Sequence, residues 1–197
     1  MDLSALSSSL ETPAGTRLRI IGNLPYSVAT AVVRKLLEAG HLVSDAVLTV
    51  QSEVAARLLA GPGGHDYGYI SVLVALHCRA SRLFDIGPAA FVPQPKVRST
   101  VLALDFTPGP PLPAAARRAL EKILGAAFGQ RRKTLANALR ELPAREGPTR
   151  RDGMTCLGRE PVTGSLARCG LSVQSRPEDV PPSDWVAIAS SLQDILA

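Results

Sequence analysis

Arg17-Leu18-Arg19-Ile20-Ile21-Gly22 leads directly into Asn23-Leu24-Pro25-Tyr26, and this stretch decides how the rest of the chain is interpreted. Its first part is short and apolar, with β-branched residues near its end, which is typical of a buried strand that ends in a turn at Gly22. In an open α/β sheet, ligands bind at the carboxyl ends of the strands. The sequence therefore predicts a ligand site at Asn23, Leu24, Pro25 and Tyr26.

The four residues after this strand have the chemistry needed to hold the exocyclic amine of a nucleic-acid base. The lone pair of such an amine is delocalised into the ring, so two acceptors that hold the nitrogen towards sp3 geometry would make it a better nucleophile. The Asn23 side-chain carbonyl and a backbone carbonyl of Leu24 or Pro25 could be these acceptors. Pro25 makes the turn rigid, and Tyr26 could stack on an extruded base, a contact worth about 1–3 kcal/mol. A Pro-containing turn followed by a core tyrosine is the alternative interpretation.

Further motifs follow in a fixed order along the chain. They are Gln51-Ser52-Glu53-Val54, Tyr67-Gly68, Phe91-Val92-Pro93-Gln94-Pro95-Lys96-Val97-Arg98-Ser99, Phe128-Gly129-Gln130-Arg131-Arg132-Lys133-Thr134-Leu135-Ala136-Asn137 and Arg176-Pro177-Glu178. Together with the first stretch they resemble the ribosomal RNA adenine dimethyltransferase family, whose members add two methyl groups to adenines of small-subunit ribosomal RNA. The resemblance extends from about Arg17 to the end of the chain.

The resemblance implies an α/β fold, namely the C-terminal part of a class I S-adenosylmethionine-dependent methyltransferase (Rossmann-like) sheet followed by a small all-helical domain. We expect a partial catalytic domain at 1–107 and a helical RNA-binding domain at 114–197. Residues 108–113 include four prolines and are expected to form a stiff linker.

The resemblance also implies roles for individual residues. Asn23, Leu24 and Pro25 would orient the target amine, with Asn23 also next to the cofactor. Phe91 takes the place of the aromatic residue that sandwiches the flipped base opposite Tyr26. A lone aromatic residue beside prolines is otherwise a packing residue. Gln51 and Glu53 lie near the pocket in the family and are weaker functional candidates.

The implied cofactor, S-adenosylmethionine, needs an earlier strand with a Gly-rich turn. The 22 residues before Asn23 contain no such turn, and Gly61-Pro62-Gly63-Gly64 follows a helical pattern, which is typical of a loop. We therefore expect the chain to begin just before the fourth strand of the sheet, without roughly 100 residues of the cofactor-binding half. A catalytically silent RNA-binding module is consequently an alternative function for the isolated chain.

Positive charge is concentrated in one segment. The net charge of the chain is +5, whereas residues 111–151 contain ten basic and three acidic residues. This distribution is typical of a polyanion-binding face. The candidates for RNA contacts are Lys96, Arg131, Arg132, Lys133 and Arg140, and a solvated charged face is the alternative.

Other features limit the class of protein. Cys78, Cys156 and Cys169 form no C-x-x-C pair and share no ligand spacing with the three histidines, so we expect neither a metal site nor disulfides. The N-terminus does not have the pattern of a secretory signal, and no apolar run is long enough to span a bilayer.

We expect a soluble, cytoplasmic monomer that acts on ribosomal RNA of the small ribosomal subunit. Alternatives are a large-subunit ribosomal RNA methyltransferase of the antibiotic-resistance type and, less favoured, a DNA amino-methyltransferase.

Local patterns predict the remaining secondary structure. We expect strands at 46–50, 81–86 and 99–106, with the last two paired as a hairpin. Gly40 should end the first helix as a left-handed cap and Ser52 should cap the second. The predicted helices are a short one within 1–15, then 28–37, 52–59, 69–78, 114–128, 131–142, 166–171 and 183–196, with 143–164 irregular.

Overall fold

The computed structural model describes residues 15–106 and 112–196, which divide into two compact units. The first consists of Met1–Ala60 and Ile70–Gly109, and the second of Gly61–Tyr69 and Pro110–Ala197. The loop at 61–69 therefore groups with the second unit, although it interrupts the first in sequence. The predicted N-terminal helix and residues 108–111 of the predicted linker lie outside the described residues. The domain boundaries stay a prediction.

The described residues form four strands and seven α-helices. In chain order they are β1 Leu18–Asn23, α1 Ala29–Glu38, β2 Val43–Gln51, α2 Ser52–Leu59, α3 Tyr69–His77, β3 Arg79–Ile86, β4 Ser99–Asp105, α4 Ala114–Gly129, α5 Leu135–Leu139, α6 Arg159–Arg168 and α7 Pro182–Leu196. Short 3-10 turns occupy Pro88–Ala90 and Pro177–Asp179.

The first unit is built on a mixed sheet with the strand order β1-β2-β4-β3. β1 is parallel to β2, whereas β4 is antiparallel to both β2 and β3. The predicted hairpin of β3 and β4 is thus confirmed. Because β1 and β2 are parallel, their carboxyl ends meet at one edge of the sheet, where β4 begins.

One face of this sheet is buried. Ala46 and Leu48 of β2 lie opposite Leu104 and Leu102 of β4, and all four are fully buried. Side chains alternate between the two faces of a strand, so this pairing puts the apolar residues of both strands on the same face. Val33 and Leu36 of α1 and Val72 of α3 are also fully buried and complete the core of this unit.

Arg17 fixes the start of β1. Its guanidinium donates hydrogen bonds to the carbonyls of Gly40 at 2.8 Å and Phe106 at 2.6 Å, and also to the carbonyl of Val43. The prediction that Gly40 is a left-handed helix cap is wrong, because α1 ends at Glu38 with Ala39 as its C-cap residue, and Gly40 does not have a positive φ. The small size of Gly40 matters instead, since a Cβ there would lie 3.1 Å from the Phe106 ring.

The second unit is helical, with α4 packed against α7. Leu120, Ile123 and Leu124 of α4 are buried, as is Trp185 of α7, which agrees with the expectation that Trp185 is a core residue. Tyr67 brings the 61–69 loop into this core, because its hydroxyl donates to the Val180 carbonyl at 2.8 Å. Burial raises the pKa of Tyr67 to about 12.

Two predicted helices have the wrong bounds. The helix expected at 131–142 is only α5, because the Thr134 side chain caps its start by accepting from the Asn137 N–H at 3.4 Å. The helix expected at 166–171 is α6, which begins at Arg159 and ends before Gly170, whose φ is +68°. Pro161 fits within the first turn of α6 because the N–H groups there have no partner inside the helix.

Two glycines of the second unit should respond in opposite ways to replacement by alanine. A Cβ at Gly147 would collide with the Cys156 carbonyl oxygen, and φ there is +143°, so Gly147→Ala should lower the free energy of unfolding by about 2 kcal/mol or more. Gly125 lies in α4, and no atom lies within 4 Å of the position that a Cβ would take. Gly125→Ala should therefore raise the free energy of unfolding by about 0.5–1 kcal/mol. Urea unfolding followed by fluorescence of the single tryptophan measures both, and an unchanged Gly147→Ala variant would contradict the described turn.

Candidate active site

The Asn23-Leu24-Pro25-Tyr26 turn is fixed by the backbone at the end of β1. Asn23 is opposite Thr49 in the parallel ladder, and the Leu24 N–H donates to the Thr49 carbonyl at 3.0 Å. The Pro25 carbonyl accepts from the Val28 N–H at 3.1 Å, which closes the turn just before α1. The turn thus has a defined position at the edge of the sheet.

The structure distinguishes between the two backbone carbonyls that could hold an amine. The Pro25 carbonyl already has a donor within the turn, whereas we find none for the Leu24 carbonyl among the described residues. The Asn23 side chain is exposed and makes no hydrogen bond within the described parts of the chain. Asn23 and Leu24 are therefore the two acceptors of this turn that a ligand can use.

The Tyr26 ring is held by its hydroxyl. Tyr26 Oη lies 3.1 Å from Ser99 Oγ, and either oxygen can be the donor. Ser99 is the first residue of β4 and is buried, with 1% of its surface exposed. The hydrogen bond thus connects the turn after β1 to a strand that is distant in sequence.

Phe91 lies at the same pocket as the turn. The pocket has a volume of about 280 Å³ and is lined by Asn23, Leu24, Pro25, Tyr26, Phe91, Val92, Pro93 and Pro95. All five predicted catalytic residues therefore share one pocket, with an aromatic ring from each of two separate segments. Two rings, two free acceptors and otherwise apolar walls suit a flat heteroaromatic ring that carries an amino group.

A chain of polar side chains runs beside this pocket. Thr100 Oγ1 donates to Asp85 Oδ1 at 2.8 Å, and Ser52 Oγ lies 2.9 Å from Thr100 Oγ1. Because the single Thr100 hydroxyl proton goes to Asp85, the Ser52 hydroxyl must be the donor to Thr100. The Thr100 hydrogen bond, assisted by the charge of Arg82, holds the pKa of Asp85 below its ordinary value. The expectation that Ser52 caps α2 is wrong, since Gln51 is the N-cap residue and Ser52 bonds to β4 instead.

The predicted RNA-contact residues have different surroundings. Lys96 is exposed in the loop that follows Phe91. In the second unit, Arg131 donates to the His65 carbonyl at 3.0 Å, and Arg140 pairs with Glu141 at 3.2 Å. The side chains of Arg132 and Lys133 are exposed and have no partner among the described residues.

Arg131, Arg132 and Lys133 precede α5 instead of forming its first turn, because the helix begins after Thr134, whereas Arg140 is its C-cap residue. Exposure and the lack of side-chain partners among the described residues favour Arg132 and Lys133 as contacts for an external anion.

The described residues do not form a site for S-adenosylmethionine by themselves. The turn after β1 is Asn-Leu-Pro-Tyr and the turn after β2 is Gln-Ser-Glu, and neither has the glycines that let a backbone approach a nucleotide. A Cβ at Gly22 would lie 3.3 Å from Leu24 Cδ2 and 3.6 Å from Leu48 Cδ2, so the space at this glycine is already filled by side chains.

The described residues contain neither a cluster of metal ligands nor a helix that could cross a membrane. Within the described ranges, no group of three or more His, Cys, Asp and Glu side chains could hold a metal ion. Cys78, Cys156 and Cys169 are free thiols, and burial raises the pKa of Cys78 to about 12. None of the helices within 15–106 and 112–196 combines the length and apolar character that a bilayer crossing requires.

Comparison with known proteins identifies the family. The family model described as ribosomal RNA adenine dimethylase matches residues 5–152. The chain belongs to the ribosomal RNA adenine dimethylase family. The ribosomal RNA small subunit methyltransferase A of Pseudomonas fluorescens (strain Pf0-1) is 45% identical over 181 residues, which cover 92% of this chain and 60% of that protein. The chain spans about half to three fifths of the length of such curated relatives.

Two solved structures share the fold. A dimethyladenosine transferase from Plasmodium falciparum matches with a TM-score of 0.75 at 20% identity, covering 95% of this chain and 71% of that one. The 23S rRNA methyltransferase ErmE matches with a TM-score of 0.62 at 21% identity, covering 93% and 69%. The predicted family and fold class are thus confirmed. At 20–21% identity, the two solved structures are evidence for the fold and not for the function.

Ser99, Thr100 and Asp85 were not among the predicted site residues. Ser99 ends the Phe91 motif and was quoted with it, but nothing in the sequence indicates that it bonds to Tyr26, 73 residues away. Thr100 and Asp85 come together only through the pairing of β3 with β4. No signal in the sequence of β4 distinguishes Ser99 from Thr100, because both are polar and both are buried.

Removing either partner of the Tyr26–Ser99 hydrogen bond should have the same effect. Tyr26→Phe and Ser99→Ala should each lower the free energy of unfolding of the first unit by about 0.5–1.5 kcal/mol, and the double variant should lose little more than one single variant. Urea unfolding followed by circular dichroism measures the cycle. Tyr67→Phe, which removes a phenol hydroxyl from the second unit, should combine additively with Ser99→Ala. Additive losses for Tyr26→Phe and Ser99→Ala would show that the two groups do not interact.

Proposed function

We propose that this chain provides the adenine-binding and RNA-binding parts of a ribosomal RNA adenine N6-dimethyltransferase that acts on the small ribosomal subunit, with S-adenosylmethionine as the methyl donor. The observation that carries the proposal is the single pocket that unites Asn23, Leu24, Tyr26 and Phe91. The name of the Pseudomonas fluorescens relative supports the small-subunit type. The proposal includes a cytoplasmic monomer that needs no metal.

The residues of the pocket would act on the acceptor side of the reaction. An adenine extruded from RNA would insert between Tyr26 and Phe91, each aromatic contact contributing about 1–3 kcal/mol. Its two amino hydrogens would be donated to the Asn23 side-chain carbonyl and the Leu24 backbone carbonyl. Both groups accept hydrogen bonds without taking a proton, so they orient the nitrogen and do not act as bases. Because the Leu24 N–H and the Pro25 carbonyl are bonded to backbone, the position of the Leu24 carbonyl is set before the base arrives, which limits the entropy lost on binding.

Two other functions remain as alternatives. A large-subunit ribosomal RNA methyltransferase would use the same fold, as the match to ErmE illustrates, so the choice of the small subunit rests on the curated relatives. A catalytically silent RNA-binding module would keep the basic residues but would not need two free acceptors in an aromatic pocket. Methyl transfer by a complete protein separates that module from an enzyme.

Asn23→Ala should lower turnover far more than RNA affinity. The variant is made in a fusion of this chain with the part of the Pseudomonas fluorescens relative that it does not cover, and methyl transfer to unmodified small subunits is measured. Because the Asn23 hydrogen bond matters chiefly in the transition state, kcat should fall by roughly 10²-fold or more, with RNA affinity changed by less than about twofold. Ser27→Ala, an exposed neighbour outside the pocket, is the control. Equal turnover of Asn23→Ala and parent would remove Asn23 from the chemistry.

Arg132 and Lys133 should contribute to RNA binding through phosphates. Each phosphate contact releases counterions, so the double variant Arg132→Ala/Lys133→Ala should make the log–log salt dependence of RNA affinity shallower by about 1.4–1.8. Fluorescence anisotropy with a ribosomal RNA hairpin across a salt series gives the slopes. Arg117→Ala/Arg118→Ala removes the same charge from exposed positions of α4 and should change the slope less. Identical slopes for the two double variants would mean that the charge at 132–133 is only a solvated face.

A further inference from the structure

A second pocket lies beside the first in the same unit. Its volume is about 340 Å³, and it is lined by Gln51, Ser52, Glu53, Val97 and Arg98. Gln51 ends β2 and pairs with Ser99, the residue that holds Tyr26. The proposed adenine site makes no use of this second pocket.

The two pockets share one loop and one edge of the sheet. Pro95 lines the first pocket and Val97 the second, and two residues of extended chain span at most about 7 Å. Asn23 of the first pocket is opposite Thr49, two residues before Gln51. A ligand that fills the first pocket and continues along this edge therefore enters the second.

The second pocket contains the groups that bind a nucleotide. Arg98 is exposed and forms no ion pair within the described residues, and a guanidinium is well suited to bind a phosphate. The Gln51 amide both donates and accepts, so it can pair with the edge of a base. Val97 is 43% exposed and adds apolar surface. Glu53 is the acidic member, and its carboxylate is already paired with Arg57.

The walls of this pocket are held rigidly. The Ser52 N–H donates to the Arg98 carbonyl at 3.0 Å, which joins the start of α2 to the end of the loop. The Ser52 side chain continues through Thr100 to Asp85. Asp85 is in turn paired with Arg82 at 2.8 Å, and the charge of Arg98 also acts on Asp85 from beyond ion-pair distance. Arg98 thus has no close ion-pair partner within the described residues, and its guanidinium is carried on a backbone that is already fixed, which favours anion binding.

We propose that the second pocket binds the nucleotide next to the target adenine on the same RNA strand, with Arg98 on its phosphate and Gln51 on the edge of its base. The inference rests on the proposed function, because it takes the first pocket as the adenine site. It adds a readout of the flanking sequence to a site that otherwise recognises only the extruded base. Adenosine monophosphate would fill the first pocket alone, whereas a longer ribonucleotide would fill both.

NMR titrations of the intact 197-residue chain test this proposal with two probes, adenosine 5′-monophosphate and a ribotrinucleotide with adenine at its centre. The parent chain should bind the trinucleotide at least about tenfold more tightly, the size expected for one charge-assisted contact and one base contact. The Arg98 Nε–H and Gln51 amide signals should shift with the trinucleotide but not with the monophosphate. Signals of Tyr26 and Phe91 should shift with both probes.

Three variants separate the second pocket from general electrostatics. Arg98→Ala and Gln51→Ala should each lose most of the tenfold higher affinity for the trinucleotide over the monophosphate. Both variants should bind the monophosphate with an affinity within about twofold of the parent. Arg98→Lys should keep part of the gain, since it keeps the charge but loses the bidentate geometry. Arg79→Ala is the charge-matched control, because Arg79 is exposed at the opposite end of β4, across from Asp105, and it should keep the whole gain.

The outcomes distinguish this inference from the function on which it rests. An Arg98→Ala variant that keeps the gain, or a parent that binds both probes equally, overturns the second pocket while the adenine site stands. If the monophosphate leaves Tyr26 and Phe91 unshifted, the adenine site fails, and the second pocket as its neighbour fails with it.

Discussion

The parallel pairing of β1 with β2 is the constraint on which the candidate site depends. It carries the main chain past Asn23 to Leu24, whose N–H is bonded to Thr49 of β2. The turn thus continues the hydrogen-bonding pattern of the sheet and is not a free loop. The Leu24 carbonyl gains a fixed direction because backbone pairing, with little freedom of rotation, determines where it points.

The start of β4 connects the two halves of the site. Consecutive residues of a strand point to opposite faces, and here Ser99 bonds to Tyr26 while Thr100 bonds to Ser52 and Asp85. One strand therefore positions a ring on one side and anchors the start of α2 on the other. The segment from Phe91 to Ser99 contacts both aromatic residues. Phe91 is its first residue, and Ser99 at its end is hydrogen-bonded to Tyr26. The gap between the two rings therefore depends on this segment as well as on the turn after β1.

Much of the fold could be predicted because its signals are local. The strand before Asn23, the hairpin of β3 and β4 and the helix beginning at Ala114 follow from apolar periodicity and turn residues. The five predicted catalytic residues could be assigned to one site because their motifs follow the order of a single family. The Tyr26–Ser99 bond could not be predicted, since it depends on the register of strands that are far apart in sequence.

The wrong helix bounds also have physical causes. Residues 131–142 have a helix-forming composition, but the Thr134 cap and the preceding turn restrict α5 to a single short segment. The region at 159–168 contains Pro161 and Gly164, which disfavour a helix when counted as composition alone. Their positions decide the outcome, since a proline costs little in the first turn. The amino-acid composition of a segment does not show at which position of a helical turn each residue lies, so it does not predict where the helix begins or ends.

The loop at 61–69 has a consequence for how this protein can be divided. It groups with the helical unit, where Tyr67 bonds to Val180 and Gly63 donates to the Glu178 carbonyl, yet it is encoded within the sheet unit. A fragment cut at the proline-rich segment would separate the helical unit from part of its own core and leave the sheet unit with a loop whose Tyr67 has lost its partner. The two units are therefore interleaved in the gene, and recombination between relatives could exchange them cleanly only as a pair.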